Sequence, residues 1–381
     1  MPGTIIIAPD SFKGSLTSSE VAQAIYEGIM DVRPDCKTRT ICMSDGGDGM
    51  IRALEGCIQA EKVCLHVHGP IGRTVEASYL IADGTAIIEM AQASGLTCIE
   101  VSERNPLKTS TYGTGEIILH ALGRGCRRFI IGLGGSATND AGCGMMEALG
   151  CRFFTPEGKE ITGCNGESLI SIASMDTTEM DRRLAGCSFT AACDVDAVFT
   201  GPKGAVQVFA AQKGADASMM NKLEKGMKSF ESVILKQFGT RLSEIKGSGA
   251  AGGMGGCLHT FFNAEMHKGA DLILEMTGFS EALKQADLVI TGEGKIDRQT
   301  FMGKAPSEIA ARAASEGTPT IAIGGIVENG IEESHRKSFK AILPICPRPA
   351  SEEELSEAMN PETAKRNIRR TIATYLADKS I

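Results

Sequence analysis

Arg127–Met146, RRFIIGLGGSATNDAGCGMM, joins a buried-strand pattern, a glycine turn and a set of helix-capping residue types within one short stretch. Phe129 to Leu133 is a brief apolar run rich in β-branched residues, the pattern of a strand covered on both faces. Gly132, Gly134 and Gly135 let the backbone bend tightly and approach a ligand closely. Ser136, Thr138, Asn139 and Asp140 are residue types that accept from free amides at a helix start. Those same amides, with the helix dipole, hold anions. The stretch predicts strand, phosphate-cradling turn and helix in succession, although an ordinary strand-to-helix turn has the same composition.

Moving outward, the same unit recurs. Thr4 to Ala8 reads as a buried strand, and Thr17-x-x-Glu20 is a capping-box pattern that opens an amphipathic helix on Val21, Ala24, Ile25 and Ile29. The loop between them carries Asp10, Ser11, Lys13 and Ser15 at the strand's C-terminal end, the edge where open α/β sheets bind ligands. Arg39 to Met43 predicts a second strand that runs into Ser44-Asp45-Gly46-Gly47-Asp48-Gly49. Two carboxylates among glycines suit Mg²⁺ or a substrate hydroxyl, and they equally suit a tight turn. From Cys64 the texture changes: Val63–Val67, Val75–Ile81 and Ala86–Met90 predict consecutive strands with turns between them, hence a mixed sheet in a second domain.

Further on, Cys187–Cys193 predicts a strand that delivers Asp194 at its end, placed for proton abstraction or as a cap. Residues 216–246 predict a charged helical stretch. Gly247–Gly256 is the densest glycine run, suited to close approach of backbone to ligand or of helix to helix. Asp287–Ile290 predicts a strand ending in the polar loop Thr291-Gly292-Glu293-Gly294-Lys295-Ile296-Asp297, followed by Gly303-Lys304-Ala305-Pro306. Thr320–Ile323 and Ala341–Ile345 complete the strands, and residues 352–378 predict closing helices.

Composition narrows the function classes. The 381 residues carry a net charge of −8, with a pI near 5.5, which opposes general nucleic-acid affinity. Thirteen cysteines without C-x-x-C or zinc-type spacing predict neither a disulfide framework nor a structural metal, and point to a reducing cytoplasm. No signal peptide or membrane span is expected. The nucleophile elbow, H-E-x-x-H and the Walker loop are all absent: at Gly303-Lys304, Arg298 stands where the Walker loop needs glycine and Ala305 where it needs a hydroxyl. Gly132-x-Gly134-x-x-Ala137 does match a relaxed dinucleotide fingerprint, with Glu157 as the ribose acid, so an NAD-dependent hydroxy-acid dehydrogenase is a rival reading.

Seven motifs in order, APDSFKGS (8–15), SDGGDG (44–49), GLGGSATND (132–140), CDV (193–195), QKGA (212–215), GAAGGMGG (249–256) and ITGEGKIDRQTFMGKAP (290–306), resemble the bacterial type-I glycerate kinase family. The resemblance implies ATP-dependent phosphorylation of D-glycerate with Mg²⁺, at the 2-hydroxyl, with a glycerate 3-kinase as the variant reading. It also implies a flavodoxin-like α/β domain built from both chain ends (1–64 and 265–381), an inserted α/β domain (65–264) and an active site in the cleft. A homodimer is the candidate assembly, and neither nucleic acid nor membrane is an expected partner. Departures from the family pattern are Ala197-Val198-Phe199 in place of Asn-Pro-Leu after the Cys-Asp-Val motif, Phe209-Ala210-Ala211 before QKGA, Asp48 for Glu and Ala141 for Gly.

On this reading the ATP phosphates rest on Gly134, Gly135, Ser136, Thr138 and Asn139, with Gly252, Gly253 and Glu293 as further nucleotide contacts. Lys13 and Lys304 are the cations. Asp194, then Asp297, is the expected base for the glycerate hydroxyl. Ser11, Asp45, Gly46, Gly47 and Lys304 face the substrate, and Asp48 holds the metal.

Overall fold

The computed structural model describes residues 3–44, 49–328, 337–346 and 351–378. In chain order the strands are β1 (Thr4–Pro9), β2 (Lys37–Thr40), β3 (Glu61–His68), β4 (Thr74–Ala82), β5 (Thr85–Glu89), β6 (Arg128–Gly132), β7 (Arg152–Phe154), β8 (Glu160–Ile161), β9 (Ser174–Asp176), β10 (Ser188–Ala192), β11 (Glu265–His267), β12 (Leu288–Ile296), β13 (Thr320–Val327) and β14 (Ala341–Pro344). The chain divides into two compact units, one of residues 1–45, 52–58 and 270–381, the other of residues 46–51 and 59–269.

The first unit holds a five-stranded, all-parallel sheet in the order β14-β13-β12-β1-β2. Numbered within the unit this is 2-1-3-4-5, the flavodoxin-like order, whose topological switch point lies between β1 and β12. Ile5, Ile6, Ile7, Val289, Ile290 and Ile321 are fully or almost fully buried, as strands covered on both faces require. The predicted capping box is formed: the Thr17 amide donates to Glu20 Oε2 at 3.0 Å, and Thr17 Oγ1 accepts from the Glu20 amide at 3.3 Å. It opens the helix Ser18–Val32, which lies on the helix Pro361–Ala377 so closely that a Cβ on Gly28 would come within 2.5 Å of the Arg369 carbonyl. Arg369 also grips Asp31 with two hydrogen bonds of 2.7 Å. The two ends of the chain thus share one unit.

The second unit holds a six-stranded mixed sheet, β11-β10-β6-β5-β4-β3, in which β5, β6, β10 and β11 are parallel and β3 and β4 antiparallel. A small antiparallel sheet, β8-β7-β9, lies beside it and was not expected from sequence. The charged stretch 216–246 is the helix Ala217–Phe238. It buries one face through Leu223, Met227, Phe230, Val233 and Ile234.

Strand limits differ from expectation where polar motifs are involved. Thr291–Ile296, expected as loop, continues β12 and pairs with β13 through Glu293 opposite Gly324 and Ile296 opposite Val327. Backbone pairing is indifferent to side-chain polarity, and β13 comes close enough there that a Cβ on Gly325 would sit 2.5 Å from the Gly294 carbonyl. Conversely, β2 ends at Thr40, and Ile41 to Ser44 are buried without strand structure. All thirteen cysteines are free thiols. Among the described residues no helix is long and apolar enough to cross a membrane.

Candidate functional site

In the first unit the switch point brings together the loop after β1 and the end of β12. Pro9 pairs with Gly292, and the Asp10 amide donates to the Gly292 carbonyl at 2.8 Å. The turn Phe12–Leu16 carries half-buried Ser11 nearby and exposed Lys13 within it. It lies against Gly294, where a Cβ would meet Phe12 Cα at 3.3 Å and the Lys13 amide nitrogen at 3.4 Å. Glu293 is buried. Its Oε2 receives Lys304 Nζ at 3.3 Å, while Oε1 is shielded and has no hydrogen-bond partner among the described residues. Lys304 immediately precedes the helix Ala305–Ser315.

Asp297 is committed elsewhere. Oδ1 accepts from the Gln299 amide at 2.8 Å as a helix cap, and Oδ2 pairs with Lys295 at 3.3 Å. Burial alone would raise its pKa, but the Gln299 amide and the charges of Lys295 and Lys304 outweigh it and hold the carboxyl below its usual range. A carboxylate so stabilised is a weak base. Asp45, Gly46, Gly47 and Asp48 lie outside the described residues.

In the second unit the C-terminal edge of the parallel strands aligns Glu89, Gly132 and Ala192 across β5, β6 and β10. The glycine turn leaves β6 here: Gly134 is half-buried, Gly135 exposed at φ +66°, and Ser136 to Ala141 plunge into the interior. The expected helix does not begin at Ser136 but at Cys143. Nor is its N-terminus open to an anion. Asp140 Oδ1 accepts from the Gly142 amide and Oδ2 from the Gly144 amide, each at 3.2 Å, and the Met145 amide goes to Thr111 Oγ1 at 2.9 Å. The carboxylate of Asp140 thus occupies the place that a helix-bound phosphate would take. The dinucleotide fingerprint, which needs its turn to run straight into a helix, loses its structural basis for the same reason. Glu157 sits on an exposed turn between β7 and β8.

Asp140 is also held by the Thr111 amide at 2.7 Å and the Thr111 hydroxyl at 2.8 Å. Behind the turn lies Lys213, almost completely buried, with Nζ donating to Ser136 Oγ and to the Thr138 carbonyl, both at 2.7 Å. Burial lowers the pKa of Lys213 to about 7 despite the opposing pull of Asp140. Thr138 Oγ1 and both polar atoms of the Asn139 side chain are shielded and without a hydrogen-bond partner among the described residues. Sequence reasoning quoted Lys213 only as part of QKGA and gave it no role. Its signal was a lone lysine flanked by Gln212 and Gly214, which carries no information about burial.

The glycine run resolves as close packing of the chain on itself. Ala251, Gly252 and Gly253 are successive left-handed residues within Ala250–Phe262. A Cβ on Gly252 would lie 2.2 Å from the Thr138 carbonyl oxygen, and one on Gly253 would lie 2.8 Å from Phe199. Gly252 and Gly253 are buried and brace the 138–141 segment. Phe199, one of the departures from the family pattern, is fully buried against this turn.

Asp194 is exposed two residues beyond the end of β10, so it leaves the same sheet edge as the glycine turn. Its Oδ1 accepts from the Gly269 amide at 3.0 Å. Glu89, which sequence reading passed over, is buried at that edge, with Oε1 accepting from the Ile51 amide at 2.8 Å and Oε2 from Gln92 at 3.1 Å.

Residues 5–377 match the model of the glycerate kinase family. A curated relative from Halalkalibacterium halodurans, named glycerate kinase, is 42% identical over 96% of this chain and 97% of its own. One from Escherichia coli K12, named glycerate 2-kinase, is 39% identical over 97% and 98%. The fold matches a crystal structure described as that of a candidate glycerate kinase 2 from Salmonella typhimurium LT2, with a TM-score of 0.86 and 37% identity over 99% of this chain and 98% of that one. With the family model matching residues 5–377 and relatives of about 40% identity covering nearly the whole chain, the chain belongs to the glycerate kinase family.

Proposed function

We propose that this protein transfers the γ-phosphoryl group of ATP to the 2-hydroxyl of D-glycerate, giving 2-phosphoglycerate and ADP. The observation that carries the reading is family membership over residues 5–377, together with the relative named glycerate 2-kinase. In the reaction the glycerate oxygen bonds to the γ-phosphorus, the bond to the β-γ bridging oxygen breaks, and the hydroxyl proton goes to a base. Phosphoryl transfer needs positioning and charge neutralisation more than covalent help, which suits polar turns and lysines. We assign the triphosphate to the Gly134–Ser136 turn and the base to Asp194. Asp297, whose carboxyl is held below its usual range by the Gln299 amide and the nearby lysines, is the weaker base of the two candidates.

Lys304 and Lys13 are the proposed cations for phosphate and carboxylate. Mg²⁺ suits the donor chemistry of Glu293 Oε1, a buried carboxylate oxygen without a hydrogen-bond partner among the described residues, because the ion is usually held by one or two carboxylates and the nucleotide's own phosphates. When bound it would neutralise phosphate charge. Asp48 is the other proposed donor, from the sequence motif alone. We place the reaction in the cytoplasm, where thirteen free thiols stay reduced.

Purified protein given ATP and D-glycerate is expected to release ADP only when both are present, with the product's phosphorus resonance at the 2-position. ADP release independent of glycerate, or a nicotinamide absorbance change with a hydroxy acid and no ATP, would end this reading. A 3-phosphate product would retain the kinase and shift the acceptor. Lys304→Met should lower kcat/KM about 100-fold, in line with the loss of one transition-state donor. Its melting temperature should fall by only a few degrees: Lys304 is 42% exposed, but its buried partner Glu293 loses the ammonium group that donates to it. Wild-type kcat/KM in that variant would remove Lys304 from the machinery.

A further inference from the structure

We propose that Lys213 is a positioning residue for phosphoryl transfer, acting through Ser136: it fixes the Ser136 hydroxyl as a donor aimed at a nucleotide phosphate and supplies the charge behind it. The inference rests on the assignment of the triphosphate to the Gly134–Ser136 turn.

The geometry is specific at the level of protons. Nζ of Lys213 donates to the Thr138 carbonyl and to Ser136 Oγ, so Ser136 receives on a lone pair and keeps its own proton for another partner. Ser136 is buried, and Gly135, next to it in the turn, is exposed. An ammonium group has three protons, and these two contacts use two of them. Thr138 Oγ1 and the Asn139 amide, in the same segment, are buried and have no hydrogen-bond partner among the described residues. Buried polar groups are almost always satisfied, so three adjacent shortfalls among the described residues mark a place suited to a polar ligand. An oxyanion at Ser136 completes it.

The alternative is a plain structural clamp, and energetics separate the two. A lysine in this position is an expensive clamp, because removing an ammonium group from water is costly and Asp140, the titratable group whose charge reaches it, repays that only in part. A residue retained for folding would lower stability when removed. One retained for the ligand would leave stability level or raised and lower activity.

The test uses the full chain. Lys213→Met, Ser136→Ala and the double variant are assayed for ATP- and glycerate-dependent ADP release and for melting temperature. The expected result is a kcat/KM for ATP lower by about 10²–10³-fold in Lys213→Met, a melting temperature at or above wild type, and a double variant no slower than the slower single. A second measurement needs no variant. Calorimetry of ATP binding without glycerate at pH 8, in buffers of different ionisation enthalpy, should report uptake of up to one proton as the anion returns Lys213 to its ammonium form.

Activity within twofold of wild type, a melting temperature that falls in step with activity, losses that multiply in the double variant, or no proton uptake on binding would each overturn the proposal. None of these would touch the kinase reading, which fails only if wild-type protein shows no glycerate-dependent ADP release.

Discussion

Asp194→Asn is expected to lower kcat by about 10³-fold while leaving the melting temperature within a degree or two of wild type; the rate loss follows from the usual worth of a positioned base. The substitution preserves shape and the contact already in place. Asp194 Oδ1 accepts from the Gly269 amide at 3.0 Å, and an asparagine carbonyl can accept that bond equally. What the amide cannot do is take a proton. The residue is exposed just past the end of β10, in a position where a lost charge is absorbed by water rather than by the core. KM for glycerate should change little, because the base acts as the hydroxyl proton is leaving and contributes mainly in the transition state. A variant with kcat within threefold of wild type would dismiss Asp194 as the base and return it to the role of a cap on Gly269.

Much of the scaffold could be read from local pattern. Thr17 and Glu20 formed their reciprocal cap, the apolar run Thr4–Ala8 became β1, and the turn-punctuated runs after Cys64 became the antiparallel edge of a mixed sheet. These are decided within a few residues of themselves. The interior of the glycine turn was not legible for the opposite reason. Ser136 to Asp140 have helix-cap chemistry, and Asp140 does cap amides, but it does so from inside a buried loop with Thr111, 29 residues away in sequence, and the helix waits until Cys143. Lys213 reaches Ser136 across 77 residues.

Glycines misled for a related reason. A run such as 249–256 announces close approach without saying to what, and within the chain its neighbours are Val198, Thr138 and Phe199. Ala141 is the informative departure. It stands at φ +54° where the family pattern has glycine, so the position demands a left-handed backbone that alanine adopts under strain.

Asp140→Asn should be the most destabilising of the conservative substitutions near the turn, by about 3 kcal/mol, since it removes a buried charge from a fully engaged network. Among the described residues the carboxylate is hydrogen-bonded by four donors: the Thr111 amide and hydroxyl and the amides of Gly142 and Gly144. The ionised carboxylate has no proton to give, so the Thr111 hydroxyl, while accepting from the Met145 amide, donates its own proton to Asp140. An asparagine amide would turn its NH₂ toward one of those donors.

The variant also strips Lys213 of the charge that partly offsets its burial, which gives the prediction a sign in pH. Folded Lys213 titrates near 7, far below the unfolded value of about 10.4, so between these limits the unfolded chain holds a proton that the folded chain has released. Stability therefore rises with pH across that window, the burial penalty being fully present below it. Asp140 acts in the acid range. Burial raises its folded pKa against the pull of its four donors, so stability falls as pH climbs through the interval just above the ordinary carboxylate value.

In Asp140→Asn the Asp140 contribution to the acid-range slope should vanish, leaving that of the other carboxylates, and the alkaline window should open at lower pH, because Lys213 has lost its counter-charge. Denaturant titrations of wild type and variant from pH 4 to 10 read both slopes directly. Parallel curves offset by a constant would mean that Asp140 and Lys213 do not communicate, and that the buried lysine is balanced by something other than this carboxylate.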